Sequence, residues 1–271
     1  MEKKKILFIS QEVTPYLPES EMSIKSRNLP QAIQERGREI RTFMPKFGCV
    51  NERRNQLHEV IRLSGMNLVI NDTDHPLIIK VASIQAARMQ VYFIDSEDYF
   101  KRKSILSDEE SGLEFEDNDE RASFFARGVL ETVVKLRWAP DIIHCHGWMS
   151  SLVPLYIKKN YGEDPLFVNS KVIYSPYAEE FKSNLSAQAA NSVLIPGVEA
   201  ADVSLLEGSP SYEAFTKLGV EYADAVIKGS EKLHPEVDAY IAQANKLTLD
   251  YQAEETYVEA YDDFYNKVFE L

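Results

Sequence analysis

The chain has 271 residues, 44% of them hydrophobic, with 30 Lys+Arg against 43 Asp+Glu and a formal net charge of −13. That length allows one large domain or two small ones with a substantial core. So acidic a surface argues against partners gathered by a positive field, duplex nucleic acid and anionic membranes, and the apolar runs are far shorter than the roughly 20 residues that cross a bilayer.

Lys3-Lys4-Lys5 followed by Ile6-Leu7-Phe8-Ile9 is a charged start and a short apolar run. It predicts a strand covered on both faces, not a secretory leader. Ser23 to Arg36 carries apolar residues at helical spacing and stops at Gly37, with Pro30 as a potential kink. Ile40 to Met44 is a second strand, stopped by Pro45. The runs Leu57–Leu63, Asn67–Ile70, Leu77–Ile84 and Met89–Ile94 are separated by Gly65 and by Asp72-Thr73-Asp74-His75-Pro76. They predict strands joined by turns.

Residues 108–120 hold eight acidic side chains in thirteen, which predicts a solvated loop and offers, as the other reading, a docking surface. Asp117 and Glu120 have capping-box spacing for a helix whose apolar face is Phe125, Val129, Val133 and Leu136, ending before Pro140. Asp141 to Cys145 is a further buried-type strand, Ser150 to Tyr161 is helical, and Lys171 to Ser175 is another strand before Pro176. Ala223 to Ile227 reads as a last strand, and Leu247 to Leu271 as an acidic helix with an aromatic side. This alternation predicts an α/β fold, a single Rossmann-like doubly wound and mostly parallel sheet, with its ligand crevice at the carboxyl ends of the strands. Cys49 and Cys145 are too few for a disulfide framework and fit a reducing cytoplasm.

Several segments carry a resemblance in chain order. Ile6 to Pro15, Asn28-Leu29-Pro30-Gln31-Ala32 through Gly37, and Met44-Pro45 come first. Tyr99 to Arg102 and Asp117 to Arg121 with Phe124-Phe125 follow, then Pro140 to Trp148 and Gly219 to Val226. Together they resemble bacterial glycogen and plant starch synthases, the family 5 glycosyltransferases. The resemblance covers about residues 6–228 and only the family's N-terminal domain. It implies the N-terminal Rossmann-like domain of a GT-B enzyme, and a family reaction in which glucose passes from ADP-glucose to an α-1,4-glucan without a metal. It also makes Leu-Pro at 29–30 an expected feature of the helix. The tail resembles the aromatic helix by which the family's chain returns to its first domain, so residues 247–271 are expected to pack back on a single domain spanning 1–271.

The family's functional residues largely fail to carry over. Its K-x-G-G-L phosphate loop aligns with Pro18-Glu19-Ser20-Glu21-Met22. No glycine remains there to admit a phosphate, and Glu19 and Glu21 would repel one, which argues against ADP-glucose binding. The Asp of its H-x-H-D-W is Gly147, and the position of its active-site His falls near Ser175-Pro176-Tyr177. Its C-terminal domain is not expected within 271 residues.

What survives is His144, His146 and Trp148, the candidate cleft residues. Positions 144 and 146 face one side of a strand, so a two-histidine metal site is geometrically possible. No third ligand is identifiable, and neither metal nor other cofactor is expected. The other readings are histidines bonded to neighbouring loops with a core tryptophan, and a surviving sugar subsite. His58, His75 and His234 are expected as isolated surface or turn residues. The expectation is therefore a non-catalytic binding or regulatory module touching an α-glucan or a protein partner. The alternative is a half-enzyme completed by another chain.

Overall fold

The computed structural model describes residues 3–179 and 181–271. In chain order, β1 (Lys5–Ser10), α1 (Glu21–Glu35), β2 (Glu39–Pro45), β3 (His58–Glu59), β4 (Met66–Ile70), β5 (Thr73–Ile84) and β6 (Met89–Asp95) form the first half. The second half holds α2 (Asn118–Leu136), β7 (Ile142–His146), α3 (Leu152–Lys159), β8 (Lys171–Ser175), the short α4 (Ala189–Ser192), α5 (Tyr212–Tyr222), β9 (Ala225–Ile227), α6 (Pro235–Gln243), β10 (Leu247–Leu249) and α7 (Tyr257–Val268). The strands form one sheet in the order β10-β9-β8-β7-β1-β2-β6-β5-β3, with β4 on β5. From β10 to β6 the pairs are parallel, and β5 pairs antiparallel with β6, β3 and β4. The chain runs outward to β2 on one side of β1 and later to β7 on the other. That reversal places a crevice beyond the carboxyl ends of β1 and β7.

Alternation along β1 builds the two faces of the core. Leu7 and Ile9 join the large cluster that α2, α3 and α5 cover, with Phe125, Val129, Leu152, Phe215 and Leu218 buried in it. Ile6 and Phe8 point to the opposite face, where they meet Leu29 and Ile33 of α1 and Tyr257, Tyr261, Phe264, Tyr265 and Val268 of α7. The tail thus packs back on the sheet as the resemblance implied. Arg38 ties it down at one end, paired with Asp262 at 2.7 Å and bonded to Asn266 at 2.9 Å. Helix α1 stays continuous through Pro30 and ends at Arg36, with Gly37 at φ +91°.

Several expectations are corrected. The run Leu57–Leu63 contributes only the two-residue β3, because the backbone turns after Glu59, with the Leu63 and Ser64 amides donating to the Val60 carbonyl. The broad turn expected at 72–76 shrinks to Asn71-Asp72, both in the left-handed region (φ 48° and 59°), and Ile70 pairs directly with Thr73. Asn and Asp tolerate that conformation, so β5 begins early and takes Pro76 into its β4 ladder. Asp117 makes no capping bond, because its carboxylate pairs with Arg102 at 2.5 Å. Leu247–Leu249 is a tenth strand beside β9, not the start of the tail helix.

The acidic segment is also less idle than a solvated loop. Glu114 accepts from the amides of Lys182 and Ser183, both at 2.7 Å, and Asp119 is buried, its carboxyl pushed up to about 6 by desolvation. His75 lies in β5, bonded to Asp98 at 2.7 Å and to the Tyr99 hydroxyl at 3.0 Å, and that hydroxyl donates to Glu120. Among the described residues no helix is long and apolar enough to cross a membrane.

Five buried side chains anchor α7, and each buried apolar side chain of this size stabilises by about 1.5–3 kcal/mol. Ending the chain at Gln252 keeps β10 and removes α7, so the truncated protein is expected to aggregate or to melt at least about 10 °C lower by calorimetry. A soluble product with an unchanged melting temperature would show that α7 is dispensable.

Candidate functional site

The loop after β1 enters the crevice first. Gln11 is fully buried, and its side-chain amide donates to Glu179 at 2.5 Å and accepts from the Met149 amide at 3.2 Å. Ser20 then caps α1. Its hydroxyl accepts from the Ser23 amide at 3.0 Å, while the Ser23 hydroxyl accepts from the Ser20 amide at 2.8 Å. The Ser20 hydroxyl in turn donates to Glu12 at 2.5 Å. A helix amino terminus binds anions through free amides and a positive dipole end. Here the cap uses the chain's own hydroxyls, and Glu21 occupies the first turn.

Glu12, Ser20, Glu21, Met22, Tyr177 and Glu179 line the small cavity at this position, of about 170 Å³. Of residues 18–22, then, Ser20, Glu21 and Met22 reach the crevice. Pro18 and Glu19 are exposed beside it, and the Pro18 carbonyl accepts from the Ser23 hydroxyl. Glu179 was not singled out from sequence, since Ala178-Glu179-Glu180 reads as an ordinary acidic loop. Its carboxylate accepts from Gln11 and, at 3.1 Å, from the Trp148 amide. Burial, with the charge of Glu12 beside it, raises its pKa to about 8, toward the neutral form. Lys25 was missed as well. Its ammonium donates to the Gly229 carbonyl at 2.9 Å and lies within 6 Å of the Tyr177, Tyr251 and Tyr257 rings. Burial lowers its pKa.

His144, His146 and Trp148 all lie beneath the crevice, fully buried, and do not line it. Beta-strand alternation does bring the two imidazoles together, with ring centroids 4.0 Å apart. His144 Nδ1 bonds the Tyr265 hydroxyl and Nε2 the Ser175 hydroxyl, both at 2.7 Å. His146 Nδ1 bonds the Tyr177 hydroxyl at 2.9 Å. Desolvation holds His144 well below the usual histidine range and His146 near about 3, so both stay neutral. Hydroxyl partners on both His144 nitrogens leave no lone pair directed at a metal, and among the described residues no three metal-ligating side chains cluster anywhere. Trp148 packs edge-on against Phe181 and Phe215, with centroids 5.0 and 5.8 Å away.

Gly147 stands where the family resemblance expects an aspartate. Its φ is +80°, and a Cβ there would sit 2.7 Å from the Met22 Cε and 2.9 Å from the Gln11 Oε1. Met22 therefore fills the volume an acidic side chain would need.

Residues 5–247 match the family described as starch synthase catalytic domain. The chain belongs to that family. Glycogen synthase of Chlorobium luteolum is 35% identical over 230 residues, covering 85% of this chain and 46% of the relative. Glycogen synthase of Chlorobaculum tepidum is 36% identical over 228 residues, covering 84% and 46%. The chain thus spans about half the length of these glycogen synthases. A solved catalytic domain of starch synthase IV from Arabidopsis thaliana, bound to ADP and acarbose, superposes with a TM-score of 0.75 at 17% identity, over 92% of this chain and 51% of that one. At that identity the likeness establishes the shared fold, the N-terminal Rossmann-like domain of the GT-B starch synthases.

Two measurements check this description of the starch synthase-family crevice. Gly147→Ala combines a disfavoured φ with close contacts to the ends of the Met22 and Gln11 side chains, at a cost of about 1–3 kcal/mol, and is expected to lower the melting temperature by several degrees. Adding Met22→Ala should recover part of that loss. Titration provides the second. A carboxyl neutral in the folded state and ionised in the unfolded one makes stability fall as pH rises from its unfolded value toward 8. Histidines neutral when folded make it fall as pH drops below about 6.5. Stability is therefore expected to peak near pH 6.5. Glu179→Gln should abolish the decline between pH 6.5 and 8, whose slope is at most about 1.4 kcal/mol per pH unit, and steepen the loss of stability between about pH 6.5 and 4.5, where this carboxyl otherwise offsets the histidines.

Proposed function

We propose that this chain is a glycogen/starch synthase-like domain that does not transfer glucose on its own and acts as a binding or regulatory module, toward an α-glucan or a protein partner. The observation that carries the reading is Met22 packed against Gly147 at the end of β7. It removes the space for an acidic side chain at the point where the family motif has one. Electrostatics in the crevice agree with it. Glu12 and Glu21 face the cavity, the Ser23 amide of α1 is capped by Ser20, and Lys25 is enclosed by tyrosines and bonded to a carbonyl. A nucleoside diphosphate entering there would meet two carboxylates and a helix start whose Ser23 amide is already bonded to Ser20. Loss of a single preorganised donor costs about 10²–10³ in rate, and here the donors and the aspartate are lost together.

The second reading is a half-enzyme that turns over when another chain supplies the nucleotide-binding domain. It is favoured only by the resemblance, since the altered loop lies in the half present here. Purified chain is expected to show no glucose transfer from ADP-glucose to glycogen and no heat of binding for ADP or ADP-glucose. A maltooligosaccharide that binds would identify a glucan module, and its failure to bind would leave the protein-partner role. Turnover by the chain alone, or ADP-glucose binding in the range of an ordinary substrate, would reject the proposal.

A further inference from the structure

The opposite edge of the sheet has a different character. Beyond the amino-terminal ends of β1, β2 and β6 lies an open cavity of about 580 Å³, whose lining includes Lys3, Arg38, Arg41, Arg88, Met89 and Tyr92. Four cations on one concave surface are unexpected in a chain of net charge −13, and their internal pairing is incomplete. Arg38 is occupied by Asp262 and Asn266. Glu39, the carboxylate on the same wall, accepts from the Trp138 indole.

Arg41 has no carboxylate within 4 Å among the described residues. Its guanidinium lies 5.7 Å from the Tyr92 ring centroid and 5.1 Å from that of Trp138, and it donates from Nη1 to the Tyr92 hydroxyl at 2.7 Å. Its Nε is buried with no hydrogen-bond partner. Arg88 is held at φ +50°, with its carbonyl accepting from the Gln34 side chain at 3.3 Å, and its exposed guanidinium has no ion-pair partner among the described residues. The carboxyl end of α1 at the same edge carries about half a negative charge, less than the two unpaired guanidinium groups supply.

We propose that this cavity binds a small organic phosphate monoester. Guanidinium groups recognise phosphate through forked, charge-assisted hydrogen bonds, and among the described residues neither Arg41 nor Arg88 has an ion-pair partner to give up. Arginine preorganised between two rings loses little rotational freedom on binding. The volume exceeds that of a bare phosphate and falls within the range of small-ligand sites. Ile40, Met89 and Tyr92 line the remainder, which suits an organic portion. The site lies at the sheet edge remote from the crevice, so it stands whether or not the crevice is inactive.

Calorimetric titration with phenyl phosphate, inorganic phosphate and phenol tests the assignment on the intact chain. Phenyl phosphate is expected to bind at one saturable site that weakens with added salt, inorganic phosphate to bind less tightly, and phenol not at all. Arg41→Gln with Arg88→Gln should weaken phenyl phosphate at least about tenfold. Arg88→Gln alone, an exposed change that leaves the Tyr92 and Trp138 packing intact, should weaken it about three- to fivefold, and Arg54→Gln elsewhere on the surface should not. Absence of saturable binding to the wild-type protein, or equal affinity in the Arg88→Gln protein, would overturn the site. Inorganic phosphate binding as tightly as phenyl phosphate would overturn the organic part of the ligand.

Discussion

Two imidazoles buried at the end of the central strand impose the constraint on which this structure depends. His144 and His146 lie with rings 4.0 Å apart and no exposure, so charging either would be costly and each must find a polar partner inside the protein. Those partners come from two places far apart in sequence: Ser175 on β8 with Tyr177 just after it, and Tyr265 on the last helix. The hydrogen bonds therefore join the centre of the sheet, the far loop and the chain's last helix into one arrangement. Tyr265 contributes an apolar body to the core facing Phe8 and Ile6 and a hydroxyl to His144, which is why an aromatic rather than an aliphatic residue suits that position.

The crevice above these histidines is where the sheet topology and the local electrostatics meet. The turn from β1 into α1, the glycine turn after β7 and the loop after β8 all converge there, as the topology requires. What occupies the convergence is a self-capped helix end, two carboxylates, a glutamic acid held toward its neutral form and a methionine. None of these disturbs the sheet. Positive character instead collects at the opposite edge, where Arg41 and Arg88 remain unpaired. The acidic total of the chain thus conceals two edges of opposite sign.

Much of the architecture was legible along the chain. Continuous apolar runs such as Ile6–Ile9 and Val172–Ser175 can be satisfied only by strands covered on both faces, and the aromatic period of 257–268 can be satisfied only by a helix with one buried side. Residues whose state depends on distant neighbours were not legible. Asp117 has the spacing of a cap, yet Arg102 takes its carboxylate. His75 reads as a turn residue, yet Asn71 and Asp72 close the hairpin before it, and Asp98 and Tyr99 reach it from another segment. Glu179 looks like one more solvated acid until Gln11 and Trp148 enclose it.

The sequence by itself determined the family, the parallel α/β class and the return of the last helix, because each rests on residue type, local period or ordered motifs. Only the tertiary structure decided that His144, His146 and Trp148 are core and not cleft, that Met22 fills the space beside Gly147, and that unpaired arginines gather at the amino-terminal edge. Burial, protonation and pairing are set by what packs against a side chain, and those neighbours come from segments that the linear order keeps apart.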